Sequence, residues 1–224
     1  CLTLMMLCGV LYAQKKPVDF VNPFIGTSNY GTTNPGAQVP QGLMNVSPFN
    51  VMGSADNAFD KDARWWSTPY EHSNSYFTGF SHVNLSGVGC PDMGSLLLMA
   101  TSGTLDVDYR HYGSSYSEEK ASPGYYSNVL DKYNIKAEAS ATQRVGISRF
   151  TFRKGTNHIL LNLGEGLTNE TGATVRRVSD TQIEGSKLLG SFCYTDNQAV
   201  YPIYFVLRIN KRPTQSGYWK FQRP

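Results

Sequence analysis

The chain has no stripe of Lys and Arg interleaved with aromatic residues, the footprint that a nucleic-acid binder leaves. Its formal net charge of +3 is small and its signs are interspersed along the 224 residues, so no nucleic-acid partner is expected. The apolar run "LTLMMLCGVLY" at residues 2–12 is too short to cross a bilayer as a helix, and no membrane span is expected. No stretch has the apolar spacing of a helix of three turns. There is no repeat of about 20–50 residues and no low-complexity linker. The nucleophile-elbow pattern Gly-x-Ser-x-Gly does not occur, and the sequence neighbours Ser81 and His82 would point to opposite faces of a strand. His72, His82, His111 and His158 are scattered without metal-ligand spacing, which argues against a catalytic zinc centre.

Cysteine is also scarce. Only Cys90 and Cys193 lie beyond the first 13 residues, too few for a structural zinc site. Two readings stay open for them: a bridge formed in an oxidising compartment, or buried free thiols. Ala13, with Leu11 two residues before it and Gln14-Lys15-Lys16 after it, resembles the end of a secretory signal cut after Ala13. Residues 1–13 are therefore read as a residual signal peptide, and residues 14–224 as one β-domain that is secreted or periplasmic. A buried N-terminal helix is the rival reading, and a lipid anchor at Cys8 is disfavoured by Leu7. Asn-x-Ser/Thr triplets stand at Asn45, Asn84 and Asn169.

What the chain does have is turn chemistry and strands. Its 21 glycines, 11 prolines and 14 tyrosines suit many short strands joined by tight turns. Strands are expected at 43–49, 95–101, 125–131, 134–142, 145–152, 158–163, 173–179, 182–192 and 200–209. Residues 18–27 also have strand character, broken by Pro23. Ile135, Ala137 and Ala139 alternate with Lys136, Glu138 and Ser140, the pattern of a half-buried strand. The expectation is an all-β fold, a large antiparallel β-sandwich. Residues 50–75 have no period and read as a structured surface loop. The end, with Trp219 and Phe221, reads as truncated.

The acidic residues do not declare the carboxyl pair that glycoside hydrolysis uses. Asp60 with Asp62, Glu118 with Glu119, and Asp106 with Asp108 on one face of a short strand all read as solvated surface. The stretch "GFSHVNLSGVGCPDMGSLLLMATSG" (Gly79 to Gly103) instead sets Ser, His, Asn, Cys and Asp on a glycine-rich backbone before a buried strand. Trp65, Trp66, Tyr70, Tyr76 and Phe80 surround the loop before it. An aromatic face suits the apolar side of a pyranose, and fixed polar groups suit its hydroxyls. The competing reading places the tryptophans in the core.

At these residues the sequence resembles glycoside hydrolase family 92, the calcium-dependent exo-acting α-mannosidases. "VNPFIGT" (21–27) and "NPGAQVPQGLMNVSP" (34–48) are similar to the family's opening signature, and the glycine-rich stretch to its strongest internal motif. The blocks at 120–130, 135–152 and 190–213 continue in the family's order. Val83-Asn84 stand where the family carries Thr-His.

The resemblance implies a supersandwich-like β-domain packed on a larger (α/α)6 helical domain, and inverting removal of terminal α-mannose, typically α-1,2-linked, from α-mannoside glycans. Catalytic acid, base and most contacts to calcium would belong to the helical domain, leaving no catalytic and no metal residue in this chain. The glycine-rich stretch would form one wall of the sugar pocket. Trp65 or Trp66 is then the candidate stacking platform, His82, Asn84 and Asp92 the polar candidates, and Cys90 lies nearby. The alternative is a stand-alone mannose- or glycan-binding β-sandwich module without catalysis.

Overall fold

In a computed structural model of the chain, residues 15–63, 66–168, 172–190 and 200–220 are described. The strands are β1 (Ala37–Gln38), β2 (Asn45–Phe49), β3 (Tyr76–Phe77), β4 (Gly79–Asn84) and β5 (Met93–Ser102). After the single-turn helix α1 (Tyr109–Tyr112) come β6 (Ser114–Ser122), β7 (Tyr125–Leu130), β8 (Ile135–Ala141), β9 (Gly146–Thr151) and β10 (Asn157–Asn162). β11 (Gly172–Ser179), β12 (Gln182–Gly190) and β13 (Val200–Arg208) follow. Nearly every strand expected from the sequence is present, and the all-β reading holds.

Two five-stranded sheets, ordered β1-β2-β4-β5-β10 and β3-β6-β7-β8-β9, and a three-stranded sheet β11-β12-β13 make up the fold. Every pairing is antiparallel. The five-stranded sheets share one core. Val46, Phe80, Met99, Ala100 and Leu160 from the first meet Phe77, Tyr126, Leu130, Ile135, Ala137 and Ala139 from the second. Each Leu- or Phe-sized side chain moved from water into that core contributes about 1.5–3 kcal/mol. β5 is buried along almost its whole length because both of its faces are covered. Met99 and Ala100 join the main core, while Leu97 joins a second cluster with Phe49, Val51, Met52, Phe59, Trp66 and Leu167.

Four expectations need correction. Residues 18–27 do not form a strand: Pro17–Phe20 is a 3₁₀ turn with Asp19 accepting from the Lys16 amide, and the Asn22 side chain accepts from Phe24 N at 3.0 Å. Proline removes ladder donors, and a local Asn turn offers the backbone another partner. Residues 50–75 are irregular but not a surface loop, for Val51, Met52, Tyr70 and Glu71 are fully buried. Two amides make that burial possible. Asn50 exchanges bonds with both backbone groups of Glu71 (each 2.9 Å), and Asn74 donates to the carbonyls of Asn50 and Phe59 (3.0 and 2.7 Å), so the loop's backbone is satisfied without a ladder.

Asp106 and Asp108 share no strand. Asp108 caps α1, accepting from Arg110 N, and Asp106 accepts from Asp108 N at 2.9 Å. Glu119 is not solvated surface either. The β6–β7 register shifts between Ser117 and Lys120, and this bulge turns Glu119 inward.

Candidate functional site: the β4–β5 hairpin

The first half of the glycine-rich stretch is strand β4 rather than loop, paired on one side with β2 and on the other with β5. Its backbone is distorted where the polar residues lie. Val83, Met93 and Leu96 have φ of 58°, 58° and 56°, a left-handed conformation that costs a non-glycine residue about 1–3 kcal/mol. The register of β4 against β5 also shifts between Phe80 and His82. Gly94 has φ 57° and no room for a methyl group, since a Cβ there would come within 2.8 Å of Leu167 Cδ1. Distortion of this kind re-aims side chains and collects at functional sites.

His82 pairs with Val46 and Ser95 across the sheet. Its Nδ1–H donates to the Leu96 carbonyl at 2.8 Å. Burial holds its pKa below the usual imidazole value, with the Leu96 bond opposing. Asn84 has its amide fully engaged: Nδ2 donates to Asn45 O, Asn45 Oδ1 and Ser81 O at 3.1–3.2 Å, and Oδ1 accepts from Ser81 Oγ at 2.8 Å. Asp92 closes the hairpin, accepting from Met93 N at 2.8 Å and from Tyr201 OH at 2.7 Å. No hydrogen bond joins His82, Asn84 and Asp92 to one another among the described residues. Cys90 is exposed and disulfide-bonded, with its partner outside the described residues. The free-thiol reading therefore fails for Cys90.

Trp65 lies outside the described residues. Trp66 is 7% exposed, with the Phe59 ring 4.5 Å and the Tyr30 ring 6.0 Å from its own. Its Nε1 is buried without a hydrogen-bond partner. Tyr30, which composition did not single out, is 68% exposed and lies edge-on to Phe59 at 5.2 Å. The loops are bonded to one another through the Gly87 amide to Thr32 O (2.7 Å) and the His72 amide to Thr27 O (2.8 Å).

Beside this cluster, Lys61 bridges Asp62 (2.9 Å) and Glu165 (3.1 Å), and the fully buried Lys187 donates to the Glu165 carbonyl at 2.6 Å. Burial pulls the Lys61 pKa down, but the two carboxylates outweigh it and the net direction is up. Asp62 keeps the solvated position expected of it, with a 43% exposed side chain, and meets Lys61 from the solvent side.

No group of three or more His, Cys, Asp or Glu among the described residues is arranged to hold a metal, and calcium takes about 6–8 oxygens. These residues do not fit a calcium site. A hollow of 620 Å³ lined by Arg177, Arg212 and residues 213–216 lies on the three-stranded sheet, not at the hairpin. The triplets at Asn45 and Asn84 are closed to glycosylation in the folded chain. Asn45 is 2% exposed and donates to Gln38, and Asn84 is bonded as above. Asn169 lies outside the described residues. No described helix is long and apolar enough to cross a membrane.

Comparison with known proteins bears on what this hairpin belongs to. Residues 20–224 match the glycosyl hydrolase family 92 N-terminal domain. The GH92 α-mannosidase BT3965 from Bacteroides thetaiotaomicron is 31% identical, with a TM-score of 0.78 over 90% of this chain and 26% of its own. Its complex with mannoimidazole gives 0.75 over 88% of this chain and 26% of its own, again at 31% identity. An uncharacterized secreted glycosidase from Arthroderma benhamiae is 30% identical over 67% of this chain and 20% of its own length. The chain thus spans about a quarter of the solved relatives and a fifth of the curated one. With residues 20–224 matched, this chain belongs to glycosyl hydrolase family 92, as the family's N-terminal domain.

Proposed function

We propose that this chain is the N-terminal β-domain of an exo-acting α-mannosidase, secreted or periplasmic, which removes terminal α-mannose from glycans with inversion, typically at α-1,2 linkages. The observation that carries this reading is 31% identity over 90% of the chain to an enzyme described as an α-mannosidase, a protein also solved with mannoimidazole. The β4–β5 hairpin forms one wall of the sugar pocket. Asp92 and the disulfide-held Cys90 lie at its tip, while His82 and Asn84, with their bonds directed inward, hold its shape. Trp65 and the exposed Tyr30 offer the stacking surface, and Trp66 packs beneath Tyr30. The acid, the base and the calcium are assigned to a helical domain of the same polypeptide.

The test uses the full polypeptide from its source, incubated with α-1,2-mannobiose with calcium and with a chelator, beside the 224-residue chain. Mannose should appear first as the β-anomer, only from the longer polypeptide and only with calcium. A full polypeptide inert towards α-mannosides, or release by the 224-residue chain alone, overturns the reading. Mannoside binding by calorimetry without hydrolysis in either sample would support a binding module instead.

A further inference from the structure

Away from the hairpin, the bulged strand β6 carries a carboxylate that faces hydroxyl groups rather than water. Glu118 has φ 50°, and the bulge there aims Glu119 inward. Glu119 Oε1 accepts from Tyr126 OH at 2.6 Å, and both of its oxygens lie 3.0 Å from Tyr70 OH. Both tyrosines are fully buried. The Tyr70 oxygen is also 3.0 Å from Nδ1 of His72, an exposed imidazole. Around this chain of groups, Tyr116 of β6 donates to Asn74 O and accepts from Asn50, and Asn128 of β7 donates to Tyr126 OH. Burial raises the Glu119 pKa, while Tyr126, Tyr70 and His72 pull it back.

A phenol has one hydrogen to give, and that decides the logic. With Glu119 ionised, Tyr70 donates to the carboxylate and only accepts from His72, so Nδ1 carries the ring proton. With Glu119 protonated, its hydroxyl donates to Tyr70, whose own hydrogen then turns to Nδ1. We propose that Glu119, Tyr70 and His72 form a proton-linked clasp, in which one proton reverses both hydrogen bonds and moves the imidazole hydrogen from Nδ1 to Nε2. The balance is one proton in. Solvent protonates Nε2, the Nδ1 hydrogen passes to the Tyr70 oxygen, and the Tyr70 hydrogen passes to Glu119.

The clasp positions what lies above it. His72 holds the Thr27 turn through its amide (2.8 Å) and packs on Phe24 with ring centroids 5.4 Å apart. The segment leading to Tyr70 starts at Trp66. A titrating unit on β6 and β7 is therefore tied to the two loops beside the hairpin, whatever reaction the hairpin serves.

The test is ¹⁵N NMR of the full chain with labelled histidine. At neutral pH the neutral His72 ring should carry its proton on Nδ1. Glu119→Gln places an N–H donor where the protonated acid would have one, and should shift that proton to Nε2. An unchanged His72 tautomer in a folded Glu119→Gln chain overturns the proposal. Should that variant fail to fold, Tyr126→Phe removes one donor from the carboxylate. The Glu119 midpoint, read from its side-chain carbonyl carbon, should then rise and the His72 signal should follow it. A Glu119 midpoint that moves without His72 also overturns the clasp.

Discussion

Gly146 on β9 occupies a place where a methyl group does not fit. A Cβ there would lie 2.6 Å from Val46 Cγ2, 3.2 Å from His82 Cδ2 and 3.3 Å from Met44 Sδ. Val46 is fully buried and β-branched, so it has little rotamer freedom with which to yield. The close approach locks one sheet onto the other beneath the hairpin's histidine. Gly146→Ala should therefore cost about 1–3 kcal/mol, read as a lower urea midpoint at constant slope. An unchanged midpoint would show slack between the sheets that the geometry does not suggest. Val83 poses the opposite problem, as a β-branched residue at φ 58° between His82 and Asn84. Such a backbone persists only because its neighbours over-determine it, and here the Asn84 amide and the β5 ladder do so.

Among the elements, β8 is the most constrained by charge. Its apolar face packs Ile135, Ala137, Ala139 and Ala141 into the core, and Glu138, expected on the polar face, is buried there with a 5% exposed side chain. Arg149 from β9 donates to both of its oxygens at 2.6 and 2.7 Å, and Tyr125 from β7 donates at 2.7 Å. Lys136 adds an ion pair at 3.1 Å. The Arg149 hydrogen bonds lead in holding the Glu138 pKa down at about 2. A depressed carboxyl stabilises the folded state above its ordinary pKa, and that contribution is lost as pH falls from about 4.5 towards about 2.

Glu138→Gln should lower stability at pH 7 by about 1–2 kcal/mol, discounted because Arg149 is 71% exposed. It should also flatten the acid limb of a pH–stability curve; an equally steep limb would place the loss elsewhere. Glu119 pulls the other way. Its raised pKa favours folding below the ordinary carboxyl range, and that contribution fades as pH rises through the raised value.

At the scale of the molecule, the two five-stranded sheets enclose the core while the third sheet stands largely in water. β11 is exposed along nearly its whole length, and β13 exposes Tyr204 at 80% and Val206 at 58%. Few buried apolar contacts mean low opening free energies. Amide hydrogen exchange should therefore protect β5, β7 and β8 well beyond β11 and β13. Equal protection across all three sheets would mean that the third is coupled to the core more tightly than its exposure indicates. The pairs that hold this sheet, such as Arg176 with Glu184 at 3.0 Å, are solvent-exposed and add little to its stability.

The strands and the family were legible in the amino-acid order because alternation and turn residues act locally. Ile135, Ala137 and Ala139 needed no partner to announce a half-buried strand. The ordered motifs from "VNPFIGT" onward carried the family, and with it an expected pocket wall. Three features were not legible, and each depends on residues far apart in sequence. The 50–75 segment looked like surface because its burial rests on Asn50 and Asn74, whose amides replace a ladder from 24 residues apart. Glu119 looked solvated because a bulge, rather than composition, turns it towards Tyr70, 49 residues away. The inward bonding of Asn84 is set by Asn45, 39 residues away. Period and turn chemistry thus determined the strands of this protein, whereas the fate of each polar side chain was decided by what the fold brought within hydrogen-bonding distance of it.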